Sequence, residues 1–233
     1  MDLRVTALSA WVPGVTEKND LLLWARGEKD VQFADDKKSL PNHSFIPALQ
    51  RRRMTPLSKL VAVLIHSVQD KIHPDAKIYF ISLAGESERQ FQVNSMVLQD
   101  GEVLPATFST SVFNTPPAMA SIVLGLKNGY SALYPPSQEF FSAVQCVFSS
   151  ILGGNNSQVL MVYGDAQAPE EYQALEGACG ETWGFAALLE CGQDSSMGSI
   201  NAQDFTDNSI KRPQDFLLKL YERNESLLNL VNE

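Results

Sequence analysis

Strand-like and helix-like segments alternate along this chain, and this alternation is the feature that most limits its fold. The apolar runs that predict strands are 3–12, 77–85, 129–134, 158–165 and 183–191. The segments whose apolar spacing or capping predicts helices are 17–26, 55–71, 87–98, 116–126, 137–152 and 213–231. Strands that alternate with helices are typical of a layered α/β fold, in which helices cover a sheet. The sequence therefore predicts an α/β architecture.

The segment 55–71 gives the clearest helix signal. Thr55 can cap the first turn, and Pro56 suits the first helical position because its missing N–H is not needed there. The apolar residues that follow at helical spacing are Leu57, Leu60, Val61, Leu64, Ile65 and Val68. One apolar stripe of this kind predicts a helix that packs against a sheet.

Length and composition narrow the class of protein. A chain of 233 residues with 44% hydrophobic content can form one sizeable core, so a single domain over 1–233 is the simplest expectation. No segment approaches the roughly 18 uninterrupted apolar residues that span a bilayer, and the first 14 residues do not resemble a signal peptide. The net charge of −9 argues against nucleic acid as a partner. We expect a cytoplasmic protein that uses neither membrane nor nucleic acid.

One basic run interrupts this acidic chain. Arg51, Arg52 and Arg53 are consecutive, and Lys59 follows shortly after. They form either a solvated entry to the helix at 55–71 or a docking patch for an acidic carrier protein or a partner subunit.

The usual catalytic signatures are missing from the sequence. It contains no Gly-rich dinucleotide motif, P-loop, zinc-protease motif or nucleophile-elbow motif of the hydrolase type. The histidines His43, His66 and His73 all lie in the first third of the chain, and the three cysteines are too far apart to form a CxxC pair. Residues and spacing alone therefore predict an α/β domain and no particular chemistry.

The segment 107–154 resembles the active-site half of the β-ketoacyl synthases. In that family a short strand leads into a sharp elbow that carries the nucleophilic cysteine at the N-terminus of a buried helix. The elbow here is Pro135-Pro136-Ser137, and an ungapped count from Gly129 places Gln138 at the cysteine position. The run RRRMTPLSKLVAV over 51–63 also resembles the Arg-Arg-Met entry to a helix of the family.

The resemblance implies a fold and a domain organisation. It implies mainly the N-terminal half of the double-lobed thiolase-like fold, with a mixed sheet layered with helices. Residues 192–233 match no motif of the family and are expected to form a C-terminal extension that ends in a helix.

The resemblance also implies a function, because two catalytic groups of the family are missing. Gln138 cannot form a thioester, and no histidine follows His73. Cys146 lies about two turns into the helix, where we expect a structural role. This pattern resembles the chain length factors of type II polyketide synthases, and above all the short ones of aryl polyene pathways. Two alternatives remain: a Gln-bearing decarboxylase of malonyl-carrier protein, and a scaffold that shapes no product.

For a chain length factor, the resemblance assigns roles to several residues and implies no cofactor and no metal. The partner is a catalytic ketosynthase, in a heterodimer or heterotetramer, with acyl carrier protein as a further candidate. The residues expected at the partner interface are Ser131, Ala132, Leu133 and Tyr134. The candidates for the tunnel end are Phe108, Phe113 and Met119, for which core packing is the alternative, and Phe140 and Phe141 are expected to fill the acyl pocket.

Overall fold

A computed structural model describes residues 2–28, 40–174, 180–192, 199–201, 205 and 209–231. Seven strands lie within these ranges: β1 (Asp2–Trp11), β2 (Lys77–Ile81), β3 (Tyr130–Leu133), β4 (Gln158–Asp165), β5 (Trp183–Cys191), β6 (Ser199–Asn201) and β7 (Leu228–Leu230). Their α-helices are α1 (Lys18–Ala25), α2 (Ala48–Arg53), α3 (Pro56–His66), α4 (Ser87–Asp100), α5 (Pro105–Phe108), α6 (Thr115–Leu124), α7 (Phe140–Leu152) and α8 (Pro213–Asn224).

All seven strands form one mixed sheet with the order β3-β2-β4-β5-β1-β6, and β7 also pairs with β1. The strands β3, β2 and β4 run parallel, whereas β5 is antiparallel to both of its neighbours, β4 and β1. The prediction of a mixed sheet layered with helices is therefore confirmed. The parallel strands place the segments after β2, β3 and β4 together at one end of the sheet.

Helices cover both faces of the sheet, so the central strands are apolar on both sides. In β4, Val159, Met161 and Tyr163 join the cluster beneath α1, α7 and α8. Leu160 and Val162 join the cluster on the opposite face, beneath α3 and α6. A strand buried on both faces gives a continuous apolar run and not an alternating one, which is why 158–165 reads as QVLMVYGD.

A bulge in β1 changes which residues face each cluster. The pairing register of β1 with β5 shifts between Val5 and Ala7. Before this point the odd-numbered residues Leu3 and Val5 contact the α7 side, and after it the even-numbered Leu8 and Ala10 do so. The extra residue, Thr6, thus keeps a ten-residue strand apolar toward the same core.

The helix predicted over 55–71 is shorter in the structure. Thr55 caps α3 as expected, since its hydroxyl oxygen accepts a hydrogen bond from the Ser58 amide at 3.0 Å. The helix ends at His66, and a separate 3-10 turn covers Gln69–Lys71.

The helix predicted over 213–231 is wrong in its second half. The helix α8 ends at Asn224, a 3-10 turn follows, and Leu228–Leu230 form β7. This strand lies parallel to β1, with Leu228 opposite Leu8 and Leu230 opposite Ala10. The last described residues therefore extend the sheet instead of lengthening the helix. In the described ranges no helix is both long enough and apolar enough to cross a bilayer.

Candidate functional site

The elbow between β3 and α7 has the strained backbone that the resemblance implies. Gln138 has a φ of 61°, and among the described residues it is the only one other than glycine with a positive φ. Left-handed backbone is costly for a side chain with a Cβ and is found where a sharp turn requires it. The side chain of Gln138 is exposed. The fold thus holds a polar, uncharged group at the position that the resemblance assigns to the nucleophile.

The helix after the elbow begins at Phe140, three residues later than the predicted start at Ser137. Main-chain carbonyl groups accept hydrogen bonds from each of the first amides of α7. The Phe140 amide donates to the Lys211 carbonyl at 3.1 Å, and the Phe141 amide donates to the Ile210 carbonyl at 3.0 Å. A free helix N-terminus would stabilise an anion such as a thiolate. Here the main chain just before α8 occupies these donors.

Phe140 lies in the core directly behind the elbow. Its side chain is fully buried, and its ring centroid lies 5.6 Å from that of Tyr163 and 6.2 Å from that of Phe216. Phe141 is half-buried against the same cluster. The two residues predicted to fill the acyl pocket thus lie where α7 meets the sheet and α8, and Phe140 is fully enclosed by its neighbours there.

Cys146 lies farther along α7, and its side chain is exposed. The expected structural role is wrong, because an exposed thiol packs in neither apolar cluster. Cys191 at the end of β5 is also an exposed free thiol, and Cys179 lies outside the described residues. In the described part of the chain, no group of three or more His, Cys, Asp or Glu side chains could hold a metal.

A buried carboxylate fixes the loop that follows β2. Asp165, at the end of β4, accepts hydrogen bonds from the Leu83 and Ala84 amides, each at 2.9 Å, and from the Ser82 hydroxyl. The Tyr163 hydroxyl donates to the same carboxylate at 2.7 Å. Burial raises the pKa of Asp165, and these hydrogen bonds oppose that rise. The sequence analysis did not identify Asp165, whose only signal is a lone acid at the end of an apolar strand.

Phe113 packs against this loop. Its ring centroid lies 5.9 Å from that of Phe80 and 6.0 Å from that of Tyr134, the residue directly after β3. Its side chain is half-buried beside the α3–α6 cluster. Phe113 therefore contacts both the interior of the sheet and its β3 edge. It packs against the core and also lies near the edge at which a partner is expected.

The other two tunnel candidates lie elsewhere. Phe108 ends α5 and is 59% exposed. Met119 lies on α6 and lines an open surface groove with Arg52, Arg53 and Arg89. The structure therefore does not bring Phe108, Phe113 and Met119 together around one cavity.

The groove of about 500 Å³ combines positive charge with apolar side chains. Arg52 and Arg53 line it from α2, and Arg89 lines it from α4. The apolar contributors are Leu49, Met119 and Ile122. Arg51, the third member of the predicted basic patch, is half-buried and does not line the groove. Sequence reasoning missed Arg89, because it is 36 positions beyond Arg53 in the chain.

The strand β3 is the edge strand of the sheet beside β2. The Ile78 amide donates to the Gly129 carbonyl and the Ser82 amide donates to the Leu133 carbonyl, each at 3.3 Å. In a parallel pair, alternate residues direct their backbone groups to the same neighbour. The backbone groups of Tyr130 and Ala132 therefore point away from β2, toward the open edge. The residues predicted at the partner interface thus border backbone groups with which no described strand pairs.

A second buried acid lies close to this end of the sheet. Glu86 accepts hydrogen bonds from the Thr55 hydroxyl at 2.7 Å and from the Ser58 hydroxyl at 3.0 Å. Burial raises its pKa to about 7, although the two hydroxyls and Arg89 favour the charged form. No motif in the sequence singles out Glu86. Its side chain joins the start of α3 to the start of α4.

The chain belongs to the family described as beta-ketoacyl synthase, N-terminal domain, whose model matches residues 23–226. None of the curated proteins matches the chain. The predicted resemblance to the β-ketoacyl synthases is therefore confirmed.

Solved structures share the fold. A chain of the ketosynthase (ApeO) in complex with its chain length factor (ApeC) from Xenorhabdus doucetiae is similar with a TM-score of 0.69 and 20% identity, over 94% of this chain and 92% of that chain. The ishigamide ketosynthase/chain length factor is similar with a TM-score of 0.60 and 15% identity, over 84% of this chain and 64% of that chain.

Another ketosynthase shows a difference in length. The ketosynthase from module 1 of the bacillaene synthase of Bacillus amyloliquefaciens gives a TM-score of 0.55 at 14% identity. The match covers 81% of this chain but only 42% of that one. The predicted N-terminal half of a thiolase-like fold is confirmed.

Proposed function

We propose that this chain is a non-catalytic chain length factor, which pairs with a catalytic ketosynthase and limits the length of the acyl chain that the ketosynthase builds. The proposal rests on the elbow before α7, which carries no nucleophile and whose nearby amides are already hydrogen-bonded within the chain. Gln138 stands at the nucleophile position, and the Ile210 and Lys211 carbonyls accept hydrogen bonds from the amides behind it. Acyl transfer needs a nucleophile and free donors for the developing oxyanion. The elbow has no nucleophile at residue 138, and the amides of residues 140 and 141 are not free to donate to an oxyanion.

The β3 edge supports a partner subunit. A strand with unpaired backbone groups and half-buried side chains is a template on which a second chain can add a strand. Tyr134, directly after β3, is 63% exposed. We assign Ser131, Ala132, Leu133 and Tyr134 to this contact, in a heterodimer or a heterotetramer. The similarity to complexes of a ketosynthase with its chain length factor is consistent with such a partner.

We assign the end of the acyl tunnel to Phe113. Among the three candidates, it is the one that contacts both the core and the residue after β3. An aromatic ring at a tunnel end stops a growing chain by excluding further methylene groups. Phe108 and Met119 lie farther out on α5 and α6 and belong to the surface around the groove.

The groove is our candidate for the carrier protein. Arg52, Arg53 and Arg89 offer positive charge beside apolar side chains, a combination that suits an acidic amphipathic helix. Arg52→Glu should slow product formation at limiting carrier protein and leave assembly with the ketosynthase intact. Lys71→Glu, on an exposed residue beside the start of β4, is the matched control. Equal loss in the two variants would remove the groove from the proposal.

The two alternative functions differ from the proposal in what the isolated chain does. If Gln138 supports decarboxylation, the chain alone should consume malonyl-carrier protein, and Gln138→Ala should abolish that turnover. A scaffold should restore ketosynthase activity without changing product length. The pathway we assign is aryl polyene or a related polyketide biosynthesis in the cytoplasm.

Reconstitution separates these functions. The ketosynthase, carrier protein and malonyl extender are incubated with and without this chain, and the products are measured by mass spectrometry. The proposal predicts no malonyl consumption by this chain alone, products of defined length in the complex, and longer products with Phe113→Ala. Turnover by the isolated chain, or product lengths that do not respond to Phe113→Ala, would contradict it.

A further inference from the structure

Phe113 packs into a space that exists only because residue 85 is glycine. Gly85 is buried and has a φ of +55°. A Cβ atom built on Gly85 would lie 2.5 Å from Cδ2 and 3.0 Å from Cε2 of the Phe113 ring. Real Cβ atoms do not approach carbon this closely, so any side chain at residue 85 would displace the ring.

The loop that carries Gly85 cannot easily move away to relieve such a contact. The Gly85 amide donates to the Ser82 hydroxyl oxygen at 2.7 Å, and Ser82 in turn donates to the buried Asp165 carboxylate. The Leu83 and Ala84 amides also donate to Asp165. Moving the loop would break several buried hydrogen bonds to one acceptor, which is costly. The ring, and not the loop, is therefore the part that shifts.

The other neighbours of the ring determine the direction of this shift. Phe80 is fully buried and blocks movement of the ring toward the core, whereas Tyr134 is mostly exposed and follows the edge strand. A methyl group on Gly85 would therefore push the Phe113 ring outward, past Tyr134, toward the open β3 edge.

We propose that Gly85 is a positioning residue for Phe113, and that the loop fixed by Asp165 thereby sets the length of the product. This inference rests on the proposed function. Phe113 supplies the ring that ends the tunnel, and Gly85 determines how far that ring projects into it. The two residues should therefore affect product length in opposite directions.

The test is a double-mutant cycle in the assembled complex with the ketosynthase. Phe113→Ala should lengthen the products, whereas Gly85→Ala should shorten them because the ring projects farther. In Gly85→Ala/Phe113→Ala the added methyl group has no ring to displace, so this variant should give the same product lengths as Phe113→Ala alone. Product lengths are compared by mass spectrometry for purified complexes at equal extents of malonyl consumption.

Gly27→Ala is the matched control. Gly27 has a φ of +72°, and a Cβ there would meet no atom within 4 Å. This variant carries the same left-handed backbone cost without touching a ring, and its products should equal those of the wild type. A second variant, Asp165→Asn, should broaden the length distribution because one amide oxygen cannot replace both carboxylate oxygens.

The outcomes separate the inference from the function on which it rests. Unchanged or longer products with Gly85→Ala, while Phe113→Ala lengthens them, would overturn the role of Gly85 and leave the tunnel assignment intact. An unchanged distribution with Asp165→Asn would overturn the role of the fixed loop. If Phe113→Ala also has no effect, the chain-length function itself fails.

Discussion

The two faces of the sheet differ in what they leave exposed. On the side of α1, α7 and α8, the outward residues of α7 are small or polar, such as Cys146 and Ser149. On the other side, between α2 and the end of β3, lie the large apolar side chains that the described ranges expose: Leu49, Val97, Leu98, Leu104, Phe108, Val112, Ile122 and Tyr134. We call the first surface the closed face and the second the open face.

The difference shows which contacts this chain completes by itself. On the closed face the C-terminal segment supplies the cover, because Phe216, Leu217 and Leu220 of α8 are buried against the α7 side of the sheet. On the open face only Ser87 of α4 is buried, and the side chains of Val97 and Leu98 on this helix are exposed. Exposed apolar groups on this scale are typical of a surface that binds another protein.

The largest effect is expected on the closed face. Phe216→Ala removes a fully buried ring that contacts Phe140, Phe148 and Phe205. It should lower the free energy of unfolding by about 3–5 kcal/mol, the usual cost of deleting a buried phenylalanine. Denaturation in urea measures this change. Phe108→Ala, the same substitution on the open face, should change it by no more than about 0.5 kcal/mol. Equal losses in the two variants would remove the distinction between the faces.

The next effect concerns pH and the buried Glu86. Its pKa of about 7 in the folded protein lies above the ordinary value of 4.5. The folded state therefore holds this proton more tightly, and stability falls as the pH rises from about 4.5 to about 7. A shift of this size corresponds to up to about 3 kcal/mol. Glu86→Gln should flatten this part of the pH profile, measured by denaturation at several pH values.

Asp165, whose pKa is also raised by burial, should contribute to the slope that remains in Glu86→Gln. Glu102→Gln, an exposed change in the loop after α4, serves as the control and should keep the wild-type slope. If Glu86→Gln keeps the wild-type dependence of stability on pH, the raised pKa of Glu86 does not cause that dependence, and the prediction is contradicted.

A smaller effect is expected for a single exposed residue of the open face. Leu98→Ser changes a side chain that is 86% exposed and lies outside the groove, so the free chain should keep its stability. If the ketosynthase covers this residue, the substitution should weaken binding by roughly tenfold, as for a moderate interface residue. Calorimetry or biosensor titration measures the affinity. Ser149→Ala on the closed face should leave the affinity unchanged, and an equal loss there would contradict the assignment of the faces.

Most of the longer strands and helices could be predicted from the sequence because their signals are local, whereas the elbow followed from the family resemblance. Thr55 and Pro56 mark a helix start, and the apolar run 158–165 marks a strand buried on both faces. The strand β7 was missed because Leu228 continues the helical spacing of Leu217 and Leu220. Pairing with β1 decides its conformation, and that contact joins residues that are far apart in the chain.

The parts of the candidate site that were missed are also contacts across the chain. The carbonyl groups of Ile210 and Lys211 reach the start of α7, and main-chain groups carry no side-chain signal in a sequence. Gly85 is notable only for the ring that lies against it. Met119 fits the helical pattern of α6, yet the pattern does not show that it faces the groove.

We expect a ketosynthase to bind at the open edge beside β3, and Ala132→Pro tests this contact most directly. Proline removes the amide that points away from β2 and leaves the pairing of Ser131 and Leu133 with β2 in place. Wild-type chain and variant are each co-expressed with the ketosynthase and examined by size exclusion with mass detection. We expect a one-to-one or two-to-two complex for the wild type and a folded, uncomplexed chain for Ala132→Pro. Two results would contradict this expectation. One is a wild-type chain that is soluble and monodisperse by itself and binds no ketosynthase; the other is an Ala132→Pro chain that assembles normally.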